Sequence, residues 1–327
     1  MIPKYISSWI DIIEGMRNNN TYKLAWGRAI LELVNERSSL ELKREEFNLS
    51  EIAEKILKLY WNQTFYFRLK QGPSNSEPEI LQIIQDLIRY YTLKVGSNIP
   101  VWFNVAAPIL KSDNSKYERT IKKLIRILKQ DVAYRFKNLD GHHIDLYAYN
   151  SNQNLIVINI ENQEMLKEYN YILSQLLNYR WSQLLESFNR APNITNKVKG
   201  SSQEKINRKN LKKFRDILLN LIDESQITDF YSNDTIQIDD VSIDHFIPWS
   251  FMYQDDLWNL VITSKSHNSA KSNKIYPDDF LVKLNERNKK IIKYLPKESL
   301  EYLKLQEAIE NDYPNSFYYD FKNSIRN

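Results

Sequence analysis

Asp244 and His245 stand side by side in the segment from Val241 to Phe251, and two asparagines, Asn259 and Asn268, follow within a short distance along the chain. Asp244 and Asn268 supply hard oxygen atoms that can hold a divalent cation. His245 supplies an imidazole able to take a proton from water near neutral pH. Asn259 can clamp a loop and the imidazole ring, and Lys271 and Lys274 lie downstream as partners for phosphate. Such a set can run metal-assisted hydrolysis of a phosphodiester: a base activates water while a cation neutralises charge on the phosphate and on the leaving oxygen. Mg2+ is the expected cation, with Mn2+ the second candidate, because a carboxylate and an amide compete poorly for zinc. His267, beside Asn268, is an accessory candidate that could pack, meet phosphate or ligate a softer metal.

These side chains need elements to bring them together. Ile236 to Asp239 and Val241 to Ile243 alternate apolar and polar residues. That pattern predicts a half-buried hairpin with Asp240 in its turn and Asp244 and His245 at the end of its second strand. Pro248 breaks the strand, and a loop carrying Asp255 and Asp256 leads to the apolar run from Trp258 to Ile262. Thr263 or Ser264 is placed to cap a short helix from about Lys265. On that helix Asn268 and Lys271 share a face. A ligand at a strand end and a ligand on a helix can then converge on one ion.

The series Asp244-His245, Ile247-Pro248, Asn259-Leu260, Asn268 and Lys271 resembles the motif of the HNH, or ββα-metal, endonucleases. With asparagine at the third position and the pattern Asp-His-x-x-Pro-x-Ser-Phe, it is most similar to the HNH nuclease domain of RNA-guided CRISPR effectors. The resemblance spans roughly residues 228–275, and no named family is recognised in the remainder. It implies a metal-dependent endonuclease with His245 as base, Asp244 and Asn268 as metal ligands, and Asn259 as a positioning group.

Composition narrows the rest. A chain of 327 residues, 42% hydrophobic and 26% charged, has the make-up of a soluble globular protein with room for two or three domains. No glycine-rich phosphate loop is present among its 6 glycines, so the chain is not expected to be its own ATPase. There is no cysteine, which excludes disulfides and the thiolate zinc site that braces many HNH domains. No structural zinc is therefore expected, and Tyr231, Trp249, Phe251 and Trp258 must brace the motif by packing. A cytoplasmic location fits the missing cysteines. Neither a signal layout at the N-terminus nor a long apolar run supports secretion or membrane spanning. The net charge of +4 is small, so the distribution of charge matters more than its total.

The expected class is α+β with helix dominant: a helical N-terminal domain containing a β-hairpin (1–190), a basic linker or helix (191–225), and an HNH nuclease domain with C-terminal helices (226–327). Helical periodicity marks Tyr5 to Met16, Tyr22 to Val34, a third helix capped by Ser50, and a fourth from Glu79 to about Lys94. Gln71 to Pro78 reads as a connector. Residues 114–130 predict an amphipathic helix whose outer face is rich in lysine and arginine; a solvated face and contact with DNA weigh equally there. Ile144 to Tyr149 and Leu155 to Ile160 predict the hairpin, and a long helix follows from about Gln163 to Asn189. His142 and His143 before the hairpin read as exposed and inert. Lys205, Arg208, Lys209 and Lys212 are expected on one side of a helix, as contacts to a nucleic-acid backbone.

The function expected is a DNA endonuclease acting in restriction or anti-phage defence, either as a homodimer or by successive nicks. One alternative is a nuclease subunit kept silent until a partner ATPase or sensor protein activates it. Another is an RNase or toxin nuclease.

Overall fold

The computed structural model describes residues 2–37, 44–73, 78–206, 208–221 and 227–325. Parts of the expected 71–78 connector and of the expected 191–225 segment lie outside them. The fold is α+β and helix-dominant, and the chain divides into two compact units, residues 1–189 with 194–206 and residues 190–193 with 207–327.

The first unit is built on helices α1 (Lys4–Gly15), α2 (Tyr22–Glu36), α3 (Leu49–Trp61), α4 (Glu79–Val95), α5 (Phe103–Lys111) and α6 (Asn114–Ile127), followed by α7 (Ile160–Glu168), α8 (Asn170–Glu186) and α9 (Ile194–Gly200). Three of its boundaries differ from expectation. α3 is capped by Asn48 and Glu51 in a reciprocal capping box, not by Ser50, which lies inside the first turn. The single helix expected from Gln163 breaks at Tyr169 into α7 and α8. The hairpin of β4 (Ala148–Asn150) and β5 (Leu155–Val157) gains a third strand, β1 (Glu46–Asn48), which pairs with β5 so that Phe47 faces Ile156. A strand of three residues carries too little alternation to be seen in a sequence. His142 and His143 form β3, paired with β2 (Asn138–Leu139), and both are exposed.

Aromatic side chains fill this unit's core: Trp9, Trp26, Tyr60, Trp61 and Trp181 are fully buried. Trp9 Nε1 is buried without a hydrogen-bond partner, whereas the polar ends of the other four are satisfied. Trp26 Nε1 donates to the Tyr147 hydroxyl at 3.0 Å, and Trp181 Nε1 donates to Gln71 Oε1 at 3.1 Å. Thr21 Oγ1 donates to the same Gln71 oxygen, and Gln71 Nε2 donates to Gln63 Oε1.

The second unit contains α10 (Lys212–Asn220), β6 (Val241–His245), α11 (Trp249–Met252), β7 (Leu260–Ser264), α12 (Lys265–Lys271), α13 (Asp278–Ile291), α14 (Leu300–Glu310) and α15 (Tyr313–Ile325). The hairpin partner is a correction. β6 pairs antiparallel with β7, and Ile238–Asp240 is one turn of 3-10 helix. A single residue, Asp240, cannot reverse the chain tightly, since a two-residue hairpin turn favours glycine or asparagine with positive φ. The run Leu260–Ser264 is buried throughout and covers β6 instead. The basic stretch is corrected as well: helix begins only at Lys212, so Lys205, Arg208 and Lys209 are not on it. That stretch has little apolar periodicity to hold a helix against a core.

The core beneath the ladder joins Phe246, Trp258, Tyr318 and Phe321, with Phe251 packed edge-on to Phe321 and Trp258 stacked on Phe317. The C-terminal helices therefore clamp the motif from outside. Among the described residues, no helix is long and apolar enough to cross a membrane.

Candidate active site

The frame of the site is the β6–β7 ladder with α12 running on from β7. In the ladder Asp244 faces Val261 and His245 faces Leu260. Ser264 ends β7 and caps α12, its Oγ accepting from the His267 amide at 3.1 Å. Asp229 pins this junction. Its carboxylate accepts from Thr263 Oγ1, the Ser264 amide and the Tyr231 amide, each at 2.8 Å. Burial alone would raise the Asp229 carboxyl, but those hydrogen bonds outweigh it and hold it below the usual carboxylate range.

Asp244 is buried, and its Oδ2 carries two strong contacts. The Tyr231 hydroxyl donates to it at 2.5 Å, and Lys271 Nζ lies 2.8 Å away. Burial, and next the Asp244 charge, push the Tyr231 phenol well up, which keeps it a donor. Lys271 is thus not the free phosphate partner that its position suggested. Its side chain is 0% exposed, it pairs with Asp244, and it donates to the His245 carbonyl at 2.7 Å. Burial pulls its ammonium down, and Asp244 restores this only in part. The i, i+3 face shared with Asn268 turns inward toward β6, which removes Lys271 from solvent. Lys274, beyond the helix end, is exposed.

His245 is held by a residue that the motif did not point to. Its Nε2 lies 2.9 Å from Asp255 Oδ1. An ionised carboxylate only accepts, so Nε2 is the donor, and in the neutral imidazole Nδ1 then keeps its lone pair. Asn259 acts as a clamp on the loop. It accepts from the Ile247 amide at 2.8 Å and donates to the Ile247 carbonyl at 2.9 Å, fixing the chain just after His245. The loop is held in turn from α13, where Asn288 Nδ2 donates to the Trp258 carbonyl and Arg287 donates to the Leu260 carbonyl.

Asn268 donates from Nδ2 to Ser242 Oγ at 2.7 Å. That bond orients the amide and leaves Oδ1 as its available acceptor. Asp244, His245, Asp255 and Asn268 all line one cavity of about 280 Å³. Arg208 and Lys209 line it too, and the Arg208 guanidinium sits 4.7 Å from the centre of the Trp249 ring. The other two basic residues stand elsewhere: Lys212 is exposed at the start of α10, and Lys205 belongs to the first unit. His267 turns from the cavity. Its Nε2 meets the Tyr276 hydroxyl at 2.6 Å, and its Nδ1 lies 3.5 Å from Asp229. It packs between the Asp229 anchor and Tyr276, whose ring stacks on Tyr231.

The donors suit a hard cation. Among the described residues no cluster of three histidine, cysteine or acidic side chains forms a closed cage. Of the oxygen-bearing residues on the cavity, Asp244 has Oδ2 held by Tyr231 and Lys271, Asp255 has Oδ1 held by His245, and Asn268 keeps its amide oxygen, an incomplete set that fits an ion retaining water and taking phosphate oxygen directly. Two supporting residues escaped detection in the sequence. Ser242 has no signal at all, and Tyr231 was expected only to pack. Asp255 had a faint one, as one of two acids in the loop after the Asp-His pair.

Comparison with known proteins gives two family matches. Residues 229–276 match the family model of an HNH endonuclease. Residues 8–202, where no family was recognised, match the model of a domain of unknown function, DUF8808. No curated protein and no solved structure matches the chain.

Proposed function

The chain belongs to the DUF8808 family, and from that premise, with an HNH endonuclease domain following, we propose that it is a metal-dependent DNA endonuclease. The observation that carries this is the meeting of Asp244, His245 and Asn268 on one cavity whose wall also bears Arg208 and Lys209. In this reading Asp244 and Asn268 hold the cation, Mg2+ or Mn2+. When bound, it neutralises charge on the scissile phosphate and the leaving oxygen. His245 Nδ1 takes the proton from the attacking water, and the oxygen then bonds to phosphorus as the 3′ oxygen leaves and is protonated from solvent. Asp255 holds the imidazole in the tautomer that makes Nδ1 the base, and Arg208 and Lys209 hold the backbone in register without reading sequence.

One such site cuts one strand, so a double-strand break takes two copies or two successive events. Restriction or anti-phage defence is the context proposed, by analogy alone. The test is supercoiled plasmid with purified protein and Mg2+. Nicked circles are expected, and they disappear with EDTA or with His245→Ala. Cleavage of labelled RNA in place of plasmid would move the substrate assignment to RNA.

A second reading draws on Lys271. It already compensates the carboxylate assigned to the metal, as a site held silent until a partner ATPase or sensor protein shifts α12 would require. Nicking that appears only with a second protein from the same source would favour it over the autonomous enzyme.

A further inference from the structure

A second basic concavity lies in the first unit, far in sequence from the cavity at Asp244. It is an open groove of about 470 Å³ along α6. Lys122, Arg126 and Lys129 line one side, and Tyr149, Ser151 and Asn154 of the β4–β5 hairpin line the other. Three features make it a binding site and not merely a solvated helix face. First, it is built from two elements, because the apolar stripe of α6 (Tyr117, Ile121, Leu124) is buried in the core and turns the cations outward beside the hairpin. Second, no carboxylate lines it among the described residues. The acids that reach its cations, Glu79 at Arg126 and Glu118 at 3.9 Å from Lys122, form exposed pairs that contribute little. Third, the Tyr149 side chain lines the groove, and its hydroxyl, shielded from solvent, has no hydrogen-bond partner, a cost that a small turn of the ring toward a ligand oxygen would remove.

Lys122 and Arg126 are on α6 and Lys129 is on the π-helical turn that continues it (Leu128–Val132), so at about 1.5 Å per residue the row of cations extends roughly 10 Å. A single small anion would use one end of it, whereas successive phosphates of a polymer would use all of it. Hydroxyl and amide groups opposite a cation row are the usual company of phosphate oxygens. Ile125, half-buried between the cations, offers apolar surface to a sugar.

We propose that this groove binds the phosphodiester backbone of a nucleic acid, as a contact separate from the active site. The proposal does not depend on the chain being an active nuclease. It is tested with the full chain in EDTA, by fluorescence anisotropy of labelled duplex and single-stranded oligonucleotides across a salt series. Replacing Lys122, Arg126 and Lys129 together by Gln is expected to weaken binding at least about tenfold and to lower the salt slope by about one per cation removed. Tyr149→Phe is expected to weaken binding a few-fold with the slope unchanged, since it removes a donor and no charge. The duplex and single-strand arms show which form the groove holds. Wild-type affinity and slope in the triple variant would overturn the proposal. So would a loss confined to binding of a mononucleotide or inorganic phosphate. Circular dichroism checks that the triple variant is folded, and Lys122→Gln alone, at an exposed position, gives a slope change of about one if it is not.

Discussion

Two basic regions of this molecule treat charge in opposite ways. In the second unit Lys271 is sealed under the strand ladder, paired with Asp244 and bonded to the carbonyl of His245. In the first unit Lys122 and Arg126 stand exposed along α6 with only surface acids near them. A buried, fully bonded charge is locked in place and costs several kcal/mol if its partner is removed. An exposed one keeps its hydration and is worth little until a polyanion arrives. The contrast teaches that lysine count alone does not separate a lysine that shapes a site from one that greets a ligand. Burial does.

The sharpest way to break this contrast is at the chemistry itself. His245→Ala is expected to lower cleavage by about 10²–10⁴-fold, with oligonucleotide binding in EDTA unchanged. Equal loss of both would mean that the imidazole is structural. Next is a paired substitution at the two lysines of the same short segment. Lys271→Met is expected to destabilise the fold by about 3–5 kcal/mol, because it strands the Asp244 carboxylate. Lys274→Met, at an exposed position, should shift stability by less than about 0.5 kcal/mol. Chemical denaturation of the two variants measures both, and similar midpoints would refute the assignment of Lys271 as an internal counter-charge.

A smaller effect is expected at Asp255. Asp255→Asn keeps the shape but loses the charge that orients the ring of His245, and should reduce the cleavage rate about 10–100-fold with little change in substrate affinity. A rise in KM without a fall in kcat would instead place Asp255 in substrate binding. The smallest effect is a pH dependence. The Asp229 carboxyl is held below its usual range, so its contribution to stability is present above the unfolded aspartate value, about 3.9, and fades as pH falls through the lower folded value. Melting temperatures of wild type and Asp229→Asn should therefore differ at neutral pH and converge in acid. A gap that stays constant down to strongly acid pH would show that Asp229 acts through shape and not charge.

Much of the candidate active site is written locally, within the stretch from Asp244 to Lys271. The Asp-His pair, the proline that ends the strand, the Ser264 cap and the i, i+3 placement of Asn268 and Lys271 are all short-range features, and short-range spacing is what a sequence displays. The long helices of the first unit were legible for the same reason, since Ile6, Trp9, Ile12 and Ile13 repeat with helical period and are indeed buried. What failed was pairing between segments. Ile236–Asp239 alternates well enough to pass for a strand, yet β6 took Leu260–Ser264 as its partner. The basic run before Lys212 looked helical on one side, but too few apolar residues held it to a core.

The kind of chemistry thus followed from residue types and spacing, because a hard carboxylate, an amide and an imidazole admit few reactions together. Which side chains surround those residues was decided only by folding. Asp255 reaches His245 across a loop, Tyr231 reaches Asp244 from beyond the ladder, and Lys271 is turned inward when α12 docks on β6. Those contacts depend on distance in space and on exclusion of water, and neither quantity exists along an unfolded chain.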